Sequence, residues 1–165
     1  KRANDSPPPV KTILQTLVGI PGYMSDPLAK KANLLAVILA ARPEGFLRLL
    51  DPENIEPIVD YHVMRVCLRT GLVRIDDPDL IRRLQTRRWV DGLEELAIRQ
   101  ATGRAVLGLS AKTGRSIADI DGLFFKIGRT HCVETEEPQC PACPLKPVCE
   151  QKTKRFQPVF RTTAY

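Results

Sequence analysis

Apolar and polar positions alternate along most of this chain with the period of a helix. Val10, Ile13, Leu14, Leu17 and Val18 recur every three or four residues and predict a helix over 10–18. Gly19-Ile20-Pro21-Gly22 ends it. Asp26-Pro27 pairs an N-cap with a proline at the first helical position. A second helix is therefore predicted from Pro27, with Leu28, Leu35, Ile38 and Leu39 on its apolar face and a stop near Arg42-Pro43. Residues 44–50 read as a short helix and 51–57 as a turn-rich connector. A helix over 59–72 begins at Asp60 and closes at Gly71, with Val63, Val66, Cys67 and Thr70 on one face. Asp77-Pro78 repeats the cap-and-proline start for a helix to about Arg87. A long helix over 91–107 is expected to turn Leu93, Leu96, Ala97, Ala101 and Ala105 inward. Another over 116–127 should do so with Ile117, Ile120, Leu123, Phe124 and Ile127. Strand-like alternation is confined to 156–163. The pattern predicts an all-α fold, with a flexible segment over 1–9 and a helical region over 10–130. A loop over 131–150 and a basic tail over 151–165 follow.

Composition supports that picture. The 165 residues suffice for a real core, and the 5% aromatic content means that Leu, Ile, Val and Ala must fill it. No apolar run approaches the roughly 20 residues of a membrane span, so no membrane partner is expected. The polar start, Lys1-Arg2-Ala3-Asn4-Asp5-Ser6, does not read as a signal peptide. The net charge is +6. Arg82, Arg83, Arg87 and Arg88 cluster, and the tail after Gln151 carries Lys152, Lys154, Arg155 and Arg161 with no acid. Such patches suit a polyanion, and equally a solvated helix face.

Candidate chemistry gathers in the loop. Cys132, Cys140, Cys143 and Cys149 follow the spacing C-x7-C-x2-C-x5-C among several prolines. Prolines keep such a segment from continuing as a helix. Four thiolates from one short loop are the ligand set of a [4Fe–4S] cluster or a structural zinc, and disulfides are the remaining reading. One C-x2-C with a wide arm on each side suits the cubane better than zinc, which more often takes two C-x2-C knuckles. Reduced cysteines point to a cytoplasmic or nucleoid setting, or to nucleus or mitochondrion in a eukaryote. Two further features stand out. Helix, Pro-Gly turn, helix is the order of a helix–hairpin–helix, whose turn offers backbone N–H groups to phosphates while the next helix adds its N-terminus. Asp60 is either a plain helix cap or a carboxylate beside a developing positive charge.

The run Val59-Asp60-Tyr61-His62-Val63-Met64-Arg65-Val66-Cys67-Leu68-Arg69-Thr70 resembles the segment that carries the essential aspartate in the helix–hairpin–helix base-excision DNA glycosylases, the endonuclease III superfamily. Gly128-Arg129-Thr130-His131-Cys132, followed by the cysteine loop, is similar to the iron–sulfur loop of endonuclease III and the adenine glycosylases. The resemblance covers about 14–150 and is close in these two blocks. It implies a glycosylase that flips a damaged or mispaired base out of double-stranded DNA, with Asp60 as the catalytic aspartate. Lys30-Lys31-Ala32-Asn33 looks like the stretch holding the Schiff-base lysine of members with lyase activity, which makes Lys30 the candidate nucleophile and Lys31 its reserve. Cys132, Cys140, Cys143 and Cys149 take the cluster positions. Ile20, Pro21, Gly22, Tyr23 and Ser25, together with Lys146 and Lys152, take the DNA-contacting ones.

The departures from the family pattern are specific. The hairpin lacks its second glycine, and the first cysteine gap is one residue longer. The Lys30-to-Asp60 separation is longer than in endonuclease III and closer to that of the 8-oxoguanine glycosylases, which suggests an oxidised purine. The family's N-terminal helices have no counterpart before Leu14, so an upstream segment of the same fold is an expected partner. The competing readings are a non-catalytic iron–sulfur nucleic-acid-binding module and a zinc-stabilised interaction domain.

Overall fold

The computed structural model describes residue 5 and residues 8–163. Among them are six α-helices: α1 (Pro9–Leu17), α2 (Lys30–Ala41), α3 (Tyr61–Thr70), α4 (Pro78–Gln85), α5 (Gly92–Thr113) and α6 (Ile117–Thr130). Single 3-10 turns lie at Pro52–Asn54, Cys140–Ala142 and Lys146–Val148. The extended tail contributes one isolated parallel bridge, Trp89 to Val159, among the described residues. The all-α expectation holds, and no helix among these residues is long and apolar enough to cross a membrane. Most of the segment 1–9 lies outside the described residues; Pro9, expected to be part of it, opens α1.

The chain divides into two compact units, 1–58 with 162–165, and 59–161. The boundary falls inside the stretch 10–130 that the sequence pattern presents as one helical region. In the first unit Val10, Ala36, Leu47 and Ile55 form a buried cluster, with Ile13, Leu14 and Val37 against it. The N-terminus of α1 has no side-chain cap of its own. The buried carboxylate of Asp51 supplies one from the connector, accepting from the amides of Val10 and Lys11 at 2.9 Å each. Asp26 acts similarly on α2. It was expected to start that helix itself, but α2 begins four residues later, after Ala29 in the left-handed region at φ 46°. Asp26 accepts from Leu28 N at 3.1 Å and Lys30 N at 2.8 Å.

Two further expectations fail in this unit. Residues 44–50 are not helical, and Gly45 at φ +63° takes the chain out of the right-handed helical region. The buried face of α2 is Ala32, Asn33 and Ala36, whereas Ile38 is exposed. Asn33 turns inward because its side chain donates to Ala29 O at 3.0 Å and accepts from Glu56 N at 2.9 Å.

In the second unit α3 packs against α5 and α6, and α5 packs against α6. Capping sets the helix starts where expected. Asp60, Asp77 and Ser116 accept from amides in the first turn, and Asp91 forms a full capping box with Glu94. Gly71 closes α3 at φ 85°. Every residue from Val63 to Thr70 is buried.

Helix α5 runs six residues past its predicted end, and its buried side is Glu95, Ile98, Arg99, Thr102 and Val106. Leu93, expected inside, is 80% exposed. The inward stripe holds an ion pair, Glu95 to Arg99 at 3.6 Å, so hydrophobicity alone points to the wrong face. Leu123 of α6 is likewise exposed, while Ile120, Phe124 and Ile127 are buried.

Gly128 lets α6 come close to α3 at His62. A Cβ there would lie 2.8 Å from His62 Cβ and 3.1 Å from its carbonyl oxygen. Gly128→Ala is expected to destabilise the protein by about 1–3 kcal/mol through overpacking, measured by urea unfolding. An unchanged midpoint would show that the crossing yields without cost.

Candidate metal centre and active site

Helix α3 carries one candidate centre at each end. At its start the Asp60 carboxylate accepts from His62 N at 2.8 Å and Val63 N at 2.9 Å, both on Oδ1. Asp60 is therefore a true N-cap, and it is almost completely buried. Beside it the His62 ring lies tilted by 37° against Tyr61, centroids 4.1 Å apart, and meets the edge of Phe125 at 5.3 Å. Arg65 Nη2 lies 3.0 Å from His62 Nδ1. A guanidinium only donates, so Nδ1 accepts, and the neutral ring keeps its proton on Nε2. Burial lowers the His62 pKa below its ordinary 6.5, Asp60 opposes the shift, and Arg65 adds to it.

Arg65 ties this end of α3 to the loop. Its guanidinium is buried and donates to Cys132 O at 2.7 Å, Gly128 O at 2.8 Å and Gln157 Oε1 at 3.1 Å. It also faces Glu134 at 3.5 Å. Burial lowers its pKa and Glu134 opposes that change. Glu134 pairs in turn with Arg87, and Gln157 Nε2 donates to it at 2.5 Å. One turn further along α3, Arg69 donates to Val133 O and Arg155 O at 2.8 Å each and lies over the Phe156 ring.

At the C-terminal end of α3 lie the cysteines. Cys132, Cys140, Cys143 and Cys149 are unpaired and half-buried, so the disulfide reading is not realised. All four line one cavity of about 30 Å³, together with Arg69, Thr70 and Ile127. Arg69 Nη1 points at Cys132 Sγ at 3.6 Å, and Gln151 N donates to Cys149 Sγ at 3.3 Å. The Cys149 thiol is pushed up first by burial and then by the charges of the three other cysteines. Among the described residues no three His, Cys, Asp or Glu groups gather as they would around a single ion. Four thiols around one cavity, with N–H donors aimed at sulfur, fit the demands of a thiolate-bound group. His131 bonds Thr130 Oγ1 through Nδ1 at 2.7 Å. The fifth cysteine, Cys67, is a core residue whose thiol burial pushes up.

The other candidates belong to the first unit or to the edge of the loop. Ile20, Pro21, Gly22 and Ser25 form an exposed turn, in which Gly22 has φ +95° and Tyr23 N donates to Ile20 O at 3.0 Å. The N-terminus of α2 does not offer Lys30 N to a phosphate, because Asp26 already accepts from it. Lys30 is half-buried in the first turn of α2. The Lys31 amine donates to Thr163 O. Lys146 is exposed beside the cysteine cavity. Lys152 pairs with Glu150 at 2.5 Å, which also holds Arg74 at 2.9 Å.

A scan against protein-family models and comparisons with curated proteins and with solved structures each return no match. Sequence reasoning missed the structural roles of Arg65, Arg69, Glu134 and Gln157. The sequence carried little signal for them, since His62, Arg65 and Arg69 fall on one side of α3 at helical spacing and read as an ordinary solvated face, whereas the structure buries both arginines.

The lowered pKa of His62 sets a pH dependence. Below 6.5 the unfolded chain binds a proton that the folded His62 resists, so stability is full above that value and falls as pH drops through the folded pKa. His62→Asn is expected to remove this part of the acid sensitivity, read from urea midpoints across the acidic range. An unchanged slope would assign it to other groups.

Proposed function

We propose that the protein is a DNA N-glycosylase that removes a damaged or mispaired base, with Asp60 as its catalytic carboxylate and Cys132, Cys140, Cys143 and Cys149 holding a [4Fe–4S] cluster. The observation that carries this reading is the layout of α3, which starts at Asp60 and ends against the cysteine cavity. The two blocks that resemble the glycosylase family thus belong to one continuous support. The net charge of +6 suits a DNA partner.

Asp60 is held by two backbone amides, so its carboxylate has a fixed direction. Opposite a flipped nucleotide it stabilises the positive charge that develops on the sugar as the glycosidic bond breaks. In the lyase form of the reaction the neutral Lys30 amine attacks C1′. The glycosidic electron pair leaves on the base, the attached amine loses a proton, and breaking of the C1′–O4′ bond opens the sugar to the Schiff base that leads to strand cleavage. Without that amine, Asp60 orients a water instead. An oxidised purine is the proposed base. When bound, the cluster cross-links the loop and takes no part in bond making; Arg69 and the Gln151 amide supply hydrogen bonds to its cysteine sulfurs. Lys146 and the turn at 20–25 contact the phosphates in this reading.

A second reading follows from the completeness of the Asp60 cap: a non-catalytic iron–sulfur nucleic-acid-binding module would use the same helix without chemistry. The two separate on damaged duplexes. Asp60→Asn is expected to lose base release by at least about a hundredfold, a loss of the size seen when one electrostatic stabiliser is removed, while still binding DNA. Borohydride is expected to trap a covalent complex that Lys30→Ala abolishes. Equal release by wild type and Asp60→Asn would refute the role of Asp60.

The cofactor is read independently. Protein purified without oxygen is expected to be brown, with iron and sulfide in equal amounts, and Cys143→Ser should bleach it. A colourless protein carrying one zinc would replace the cluster by a structural zinc.

A further inference from the structure

An aromatic and cationic surface adjoins Asp60 and has no part in the core. Tyr61 opens α3 and is 41% exposed, and Phe125 on α6 is 40% exposed. The His62 ring lies between them and is held in place by Arg65. Arg129 lies over the Phe125 ring at 5.6 Å. Phe125, Lys126 and Arg129 share the exposed side of one turn of α6, and the acidic residue nearest in that helix, Asp121, is buried. Two half-exposed rings, one next to a buried carboxylate and the other sharing its turn with two cations, match single nucleotides: a π-face for the base and positive charge for its phosphate. A purely structural role leaves the outer face of Tyr61 unexplained, since its inner face already packs on His62.

We propose that Tyr61, with Phe125 behind it, is a stacking platform for an unpaired nucleobase next to Asp60, and that Arg129 and Lys126 hold the adjoining phosphate. This deepens the glycosylase reading and rests on its nucleic-acid partner, but not on base release. The platform is indifferent to base identity, because every base has a π-face. It serves the base exposed when its neighbour or partner leaves the stack.

The test uses the full chain and a duplex with a tetrahydrofuran abasic analogue flanked by 2-aminopurine. Tyr61→Ala is expected to weaken binding roughly 5- to 150-fold and to abolish quenching of 2-aminopurine, whereas Tyr61→Phe retains both. Arg129→Gln is expected to weaken binding and reduce its salt slope by about one. Far-ultraviolet circular dichroism and melting of Tyr61→Ala should match wild type. Wild-type affinity and quenching in Tyr61→Ala would overturn the platform, as would Tyr61→Phe behaving like Tyr61→Ala. Binding that depends on Tyr61 with no base released from any lesion would leave the platform standing and remove the glycosylase. Absence of all oligonucleotide binding by wild type would overturn both.

Discussion

Arg65 brings a full positive charge into the centre of the second unit, with 1% of its surface exposed. Taking such a charge out of water costs several kcal/mol, which excellent geometry has to offset. Here the guanidinium meets two backbone carbonyls, a glutamine oxygen, a histidine nitrogen and, at longer range, a carboxylate. Apart from His62 on α3 itself, those partners come from the last turn of α6, the entrance of the cysteine loop and the tail. Segments with little hydrophobic surface of their own thus take their positions from one side chain. Removing it would leave several buried acceptors without a donor, each worth about 1–3 kcal/mol.

The same arginine joins the two ends of α3. It sets the His62 ring beside Asp60, and it holds the carbonyl of Cys132 where the loop begins. Arg69, four residues on, repeats the device at Val133 and Arg155. A helix with cations on its buried side can grip irregular chain, because loops expose the carbonyl groups that helices use internally. This explains how a proline-rich stretch without regular structure is kept against a helical core.

What could be read in advance were the features governed by local chemistry. Asp60, Asp77, Asp91 and Ser116 marked helix starts because a short acceptor beside free amides has few other uses. The four cysteines stood out by spacing alone. What could not be read depended on polar side chains that find their partners inside the fold. Asp51 caps a helix it does not belong to, and Asn33 faces inward to bond Glu56. Glu95 and Arg99 reverse the apparent face of α5 because each compensates the other. A residue-by-residue hydrophobicity pattern treats all of these as solvent-facing.

The carbonyls at the end of α3 accept from the far side of the cysteine loop, Arg69 O from Lys152 N at 3.0 Å and Thr70 O from Glu150 N at 3.2 Å. With Cys132 fixed at the entrance, the mouth of the loop is shut by hydrogen bonds alone. The chain between the first and last cysteine is therefore closed into a ring by hydrogen bonds to one helix. Closing a ring of that length costs a flexible chain about 2.5 kcal/mol in lost freedom. The end of α3 meets that cost, because the carbonyls of Arg69 and Thr70 hold the far side of the loop while the Arg65 guanidinium holds its entrance.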